Sequence, residues 1–146
     1  MKKALFILSL IVTFVASAQT PFVSVGLSIS EGDFETNSYP SFEGGVSFTN
    51  VSVSGAFGRG SLSGTFSDND QLSNYWYEAK VSPYLTVGDI TGTVFMGVGQ
   101  YIGTNHFFTD MGVGISYSTG NFSYGIAYNR WDEVNYVSPS ITYNFN

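Results

Sequence analysis

From Phe22 onward this sequence alternates. Val23, Val25, Leu27 and Ile29 are separated by Ser24, Gly26 and Ser28, so a strand here has one oily face and one small polar face. The pattern returns seven more times. Phe42, Gly44, Val46 and Phe48 face away from Glu43, Gly45 and Ser47, and Val51, Val53, Gly55 and Phe57 face away from Ser52, Ser54 and Ala56. Tyr75, Tyr77, Ala79, Val81, Pro83 and Leu85 oppose Trp76, Glu78, Lys80 and Ser82. Ile90, Val94, Met96 and Val98 oppose Thr91, Thr93, Gly97 and Gly99. Phe107, Met111, Val113, Ile115 and Tyr117 oppose Asp110, Gly112, Gly114 and Ser116. Phe122, Tyr124, Ile126 and Tyr128 oppose Ser123, Gly125, Ala127 and Asn129. Val137, Pro139, Ile141, Tyr143 and Phe145 oppose Ser138, Ser140, Thr142 and Asn144. A period of two, repeated eight times, predicts an all-β chain of eight antiparallel strands.

The connections alternate as well. Thr49-Asn50, Val87-Gly88-Asp89 and Ser118-Thr119-Gly120-Asn121 read as tight turns with Asn, Gly or Asp where hairpins need positive φ. Between them lie longer polar links, Glu31 to Ser38, Arg59 to Asn74, Ile102 to His106 and Arg130 to Asn135. Short turns at one end and long links at the other, with an even strand count, are the layout of an up-and-down transmembrane β-barrel. The hairpins repeat loosely, as any meander does, and no linker or domain boundary interrupts them. Pro83 and Pro139 each remove a ladder donor. Pro83 lies near a turn, where the loss is expected to matter little; Pro139 lies inside the closing strand and predicts a bulge or a weak seam.

Residues 1–18 read as an address. Lys2 and Lys3 precede an apolar run from Ala4 to Val15, and Ala16-Ser17-Ala18 is a small-x-small cleavage site. Export and removal of this segment leave 19–146 as one barrel domain. No apolar run after it is long enough for a transmembrane helix. The five Lys and Arg include Lys2 and Lys3, so Arg59, Lys80 and Arg130 face eleven carboxylates thereafter. That balance excludes a nucleic-acid surface, which needs clustered cations. Cysteine is absent, so no disulfide supports the fold.

Which face of the strands meets lipid follows from the polar side. It consists of Ser, Gly, Thr and Asn with few charges, which suits a narrow lumen and not the charged surface of a soluble barrel. Phe48, Tyr117, Phe122, Tyr143 and Phe145 gather at the short-turn ends of the apolar faces, and Phe57, Tyr75, Tyr77, Phe107 and Tyr128 at the long-link ends. Two aromatic girdles flanking a Val/Ile/Met band is an outer-membrane arrangement.

With leader, strand count, loop asymmetry and final strand together, the chain resembles the small eight-stranded outer-membrane proteins of the OmpA transmembrane-domain and OmpX type. The resemblance implies residence in the outer membrane of a Gram-negative-type bacterium after export to the periplasm, contact with outer-membrane lipids, and long loops outside. Ile141, Tyr143 and Phe145 resemble the aromatic-terminated signal read by the barrel-assembly machinery, although Asn146 follows the last aromatic. The external partner is not legible.

Inside the lumen, Glu43, Glu78, Lys80 and Asp110 fall near mid-strand, and a network centred on Lys80 with Glu43 and Glu78 is expected, one carboxylate being protonated or solvated. It reads as a structural polar core or as an ion path. Trp76, Tyr101, Phe108 and Trp131 have inward parity at the long-link rim, as a plug or as a stacking platform. Lipid A-modifying enzymes of similar barrels use a His with Ser. Here His106 is followed by Phe107 and Phe108, so the deacylase-like His-x-Ser is missing, and nearby Ser67, Asp68, Asp132 and Glu133 form no nucleophile–base pair. Glu31, Asp33, Glu35, Asp68 and Asp70 make the loops acidic, and Asp68-Asn69-Asp70 lacks the glycine and distal Glu of a calcium loop. No metal or cofactor is implied. The expectation is a non-enzymatic barrel with a structural or surface-interaction role; the alternative is a narrow conduit through a Gly- and Ser-rich lumen.

Overall fold

A computed structural model describes residues 20–30, 38–59, 75–102, 105, 107–131 and 134–145. Eight strands, β1 (Thr20–Ser30), β2 (Ser38–Ser47), β3 (Val51–Arg59), β4 (Tyr75–Val87), β5 (Ile90–Tyr101), β6 (Phe107–Thr119), β7 (Phe122–Trp131) and β8 (Val134–Asn144), pair in sequence order and close, β8 on β1, into an all-antiparallel barrel. Closure leaves no unpaired edge. The three short turns sit at one end, with Gly88 and Gly120 at φ 63° and 58°, the left-handed backbone that two-residue hairpins require. The fourth longer link is shorter than its polar residues suggested. β7 runs on to Trp131 and β8 begins at Val134, leaving only 132–133 between them.

The faces follow the alternation throughout. Apolar residues point out and stay exposed, Leu85 at 69% and Phe107 at 65% among them. Val94, Met96, Met111, Val113, Ile115 and Ile126 form a mid-height band on neighbouring strands β5, β6 and β7. Contiguous apolar surface on a water-soluble monomer seldom exceeds a few hundred Å², whereas this wall is apolar around the barrel. Among the described residues no helix is long and apolar enough to cross a membrane.

Pro83 and Pro139 each open the ladder on one side, and neither makes a bulge. β1 pairs with β8 at Gly26–Ser140 and resumes at Ile29–Val137, skipping Leu27–Pro139 and Ser28–Ser138 with the register unchanged. β4 pairs with β5 at Val81–Met96 and resumes at Tyr84–Thr93, so Pro83, expected to be harmless, leaves an equal gap. On its other side each proline stays paired, Pro83 with Val51 and Pro139 with Ile126. The missing N–H is therefore the one directed at β5 or at β1.

Candidate functional site: the barrel lumen

Eight strands enclose a space about wide enough for side chains to fill. How it is filled follows from the cross-strand pairs. Five large inward side chains stand directly opposite a glycine: Phe22 opposite Gly45, Trp76 opposite Gly58, Lys80 opposite Gly97, Phe95 opposite Gly112 and Phe108 opposite Gly99. A Cβ at Gly112 would come 2.5 Å from Phe95 Cζ, one at Gly45 would come 2.9 Å from Phe22 Cζ, and one at Gly99 would strike the Phe108 ring. The glycines that the sequence offered as open space are seats for the bulky groups across from them.

At the long-link end the four expected rim aromatics come together. Trp131 packs against Phe108 with ring centroids 4.6 Å apart and edge-on to Trp76 at 4.7 Å, and Tyr101 lies 5.4 Å from Phe108. Tyr136 adds a fifth ring, 5.5 Å from Trp131, and Tyr39 packs edge-on against Tyr136 at 6.3 Å. Phe108 is 1% exposed and the other four rings of the main cluster are buried. A platform for stacking would leave ring faces open. These rings cover one another.

Directly beneath lies the charged layer. Lys80 Nζ is 3.3 Å from Glu43 Oε2 and 3.7 Å from Glu78 Oε2, as the sequence led one to expect. Asp110 joins through Asn129, whose amide donates to Asp110 Oδ1 at 2.8 Å, and it interacts electrostatically with Lys80 and Glu78. Ser54 donates to Glu43 Oε1 at 2.6 Å, and Ser138 donates to Asn129 Oδ1 at 2.9 Å. The Lys80 ammonium also stands 5.3 Å from the Phe95 ring centroid, within cation–π range. The Glu78 side chain is only 2% exposed, and its Oε1, over Gly97, has no hydrogen-bond partner among the described residues.

From this layer a cavity of about 490 Å³ descends to the short-turn end. It starts beneath Trp76 and Trp131 and ends at Ser118, Gly120 and Asn144. Hydroxyls dominate its wall and bond one another: Thr142 to Ser24 at 3.0 Å and Ser118 to Ser123 at 2.9 Å, with the Asn144 amide donating to Ser123 at 3.2 Å. The Tyr84 hydroxyl donates to the Phe48 carbonyl near the same end.

Phe22, Tyr39, Phe95 and Tyr136 were missed as inward groups by the sequence reading. Parity identifies all four, but an aromatic at a strand end suits a girdle equally well, and Phe95 sits among outward Val94 and Met96. On the outer wall Ile141, Tyr143 and Phe145 share one face of the final strand, with Tyr143 and Phe145 edge-on at 5.0 Å and Phe122 5.1 Å from Tyr143. His106, Ser67, Asp68, Asp70, Asp132, Glu133, the first-loop acids and the leader lie outside the described residues. No group of His, Asp or Glu among the described residues has the arrangement of a metal site.

Among solved structures, the barrel is similar to the crystal structure of Neisserial surface protein A (NspA), with a TM-score of 0.51 and 11% identity over 86% of this chain and 96% of that one. No protein-family model and no curated protein matches the sequence. At such low identity the likeness concerns fold: the chain has the architecture of the small eight-stranded outer-membrane barrels.

Proposed function

We infer that this chain is an integral outer-membrane protein whose barrel is a closed scaffold, presenting its longer links outside in a structural or surface-interaction role and performing no catalysis. The observation that carries this reading is the pairing of an apolar outer wall with a lumen closed by Trp76, Tyr101, Phe108, Trp131 and Tyr136. A wall of that kind is stable in lipid, because closed antiparallel pairing satisfies the backbone along the strands within the barrel. A narrow conduit is the competing reading, favoured by the hydroxyl-lined cavity, but a conduit needs an opening at both ends. Ile141, Tyr143 and Phe145 suit recognition by the barrel-assembly machinery, being aligned on one outward face of the last strand.

Membrane fractionation with heat-modifiable gel mobility tests the architecture. The chain should stay with the membrane until detergent is added, and should migrate faster unboiled than boiled. Planar-bilayer recording tests the closed lumen. The scaffold reading expects no steady single-channel steps. Steps that disappear in Gly112→Leu would replace it with the conduit. A change in lipid A mass on overexpression, lost in His106→Ala, would overturn the non-enzymatic assignment.

A further inference from the structure

After residue 18 the chain has three cations, and their places are uneven. Lys80 is held in the lumen. Arg59 ends β3 and Arg130 is the penultimate residue of β7; both are exposed, both have outward parity, and both stand at the long-link end. The outer wall at the short-turn end has neither Lys nor Arg among the described residues. β3 and β7 are four strands apart in a closed ring of eight, so the arginines occupy opposite walls.

The two strands also share a pattern. Each follows an asparagine, Asn50 or Asn121, and each reads Ser, three residues, Ala, aromatic, one residue, Arg: Ser52, Ala56, Phe57 and Arg59 in β3, and Ser123, Ala127, Tyr128 and Arg130 in β7. Serine and alanine face the lumen, while the aromatic and the arginine face outward. The Arg59 guanidinium lies 5.9 Å from the Tyr75 ring centroid, and that ring stacks on Phe57. Tyr77, next on the same face, donates to Gln100 Oε1 at 2.5 Å. On the opposite wall Arg130 stands beside exposed Asn135, its register partner on β8, above Tyr128.

Resting on the outer-membrane reading above, we propose that Arg59 and Arg130 are two stations for the phosphate-bearing headgroups of anionic lipid in the leaflet on the long-link side. A guanidinium presents a planar fork that fits phosphate oxygens in pairs. An aromatic girdle sets each fork at headgroup height. The charge is placed where one leaflet alone can use it, which orients the barrel as well as binding lipid.

Native mass spectrometry of the full chain in detergent micelles tests this, with four separate probes: diphosphoryl lipid A, phosphatidylglycerol, phosphatidylcholine and inorganic phosphate. The two anionic lipids should give up to two adducts, and phosphatidylcholine and inorganic phosphate none at equal concentration. Arg59→Gln and Arg130→Gln should each remove one adduct and weaken binding about fivefold, the worth of one arginine at an anionic surface. The double variant should lose the preference, and Arg59→Lys should keep part of it. Undiminished adducts in the double variant, equal binding of phosphatidylcholine, or equal binding of inorganic phosphate would each overturn the proposal. Heat-modifiable mobility is read on every sample. A compact form without lipid preference sinks this inference alone; a wild-type chain with no compact form sinks the membrane reading as well.

Discussion

The two ends of one lumen are built differently. Toward the long links the interior is filled: five rings cover one another, four charged side chains lie beneath them, and Gly58, Gly97 and Gly99 seat Trp76, Lys80 and Phe108. From beneath that layer a cavity of about 490 Å³ runs to the short turns, its lower wall mostly small hydroxyl side chains with Phe22, Tyr84 and Phe95 among them. Both ends use the same strands and the same alternation, so the difference lies in what stands at the inward positions. Close packing makes the upper lumen sensitive to single atoms, whereas a solvated, hydroxyl-lined lower lumen can exchange a protein hydrogen bond for one to water at little net cost.

The contrast breaks first at the charged layer if the comparison is wrong. Lys80→Met removes the one cation among Glu43, Glu78 and Asp110 and leaves buried carboxylates facing each other. Removing one partner of a buried pair costs about 3–5 kcal/mol. Unfolding in urea, followed by the heat-modifiable band, should show a loss of that size, and adding Glu78→Gln should recover part of it. A loss below about 1 kcal/mol, the value of an exposed pair, would mean that the layer is solvated like the region below.

The plug comes next. Trp131 touches Trp76, Phe108, Tyr101 and Tyr136, so Trp131→Ala opens a void at the centre of the cluster. Truncating a large buried aromatic costs about 3–5 kcal/mol; with the strand pairing of the wall intact, a loss near the lower figure is expected. The same variant joins the cavity to the long-link end, so bilayer recordings should acquire steps that the wild type lacks. Unchanged stability with wild-type silence would show that the rings do not close the lumen.

Glycines sharpen the comparison within one residue type. At Gly99 a Cβ would strike Phe108 and come 2.6 Å from the Tyr77 carbonyl, whereas at Gly114, on the cavity wall, its nearest contacts are at 3.4 Å. Gly99→Ala should therefore cost about 1–3 kcal/mol through overpacking. Gly114→Ala should fall within about 0.5 kcal/mol of the wild type, as substitutions away from packed features do. Equal effects in a denaturation series would erase the distinction between the two ends.

Much of this was legible in the residues, for identifiable reasons. Sidedness is a matter of parity, and parity survives errors at strand ends, so the outward and lumen faces and the Lys80–Glu43–Glu78 cluster could be read directly. Packing is not a matter of parity. Gly97 and Gly99 read as open space because their cross-strand partners depend on register, and register is set by turns whose lengths a sequence leaves uncertain by a residue or two. Tyr136 was hidden for a related reason. Asp132, Glu133 and Asn135 look like loop residues, yet the last strand begins at Val134 and brings Tyr136 onto Trp131. The prolines show a third case. A lost donor was foreseeable at Pro139, but which neighbouring strand would lose its partner depends on the direction of that N–H, which the alternation does not encode.

The seams offer the smallest effect and the most local test. Pro139 and Pro83 each leave two ladder positions open, on β1 and on β5 respectively. Both have outward parity, where a β-branched side chain suits a strand. Pro139→Val supplies the N–H directed at β1 without changing the face or the register. It should add one backbone hydrogen bond, a gain of about 0.5–1.5 kcal/mol. Part of that gain is lost because valine, unlike proline, leaves the unfolded chain its full freedom, so the net should lie near the lower end. Stability alone would be a weak reading of so small a change, and amide exchange is the sharper one. Protection should rise at position 27, the new amide at 139 should itself be protected, and exchange should stay as it was across the β4/β5 gap, which keeps its own proline. Protection rising at both gaps would mean that the two seams open together as one cooperative unit. Protection rising at neither would place the gap in the twist of the strands and leave the missing donor without a role.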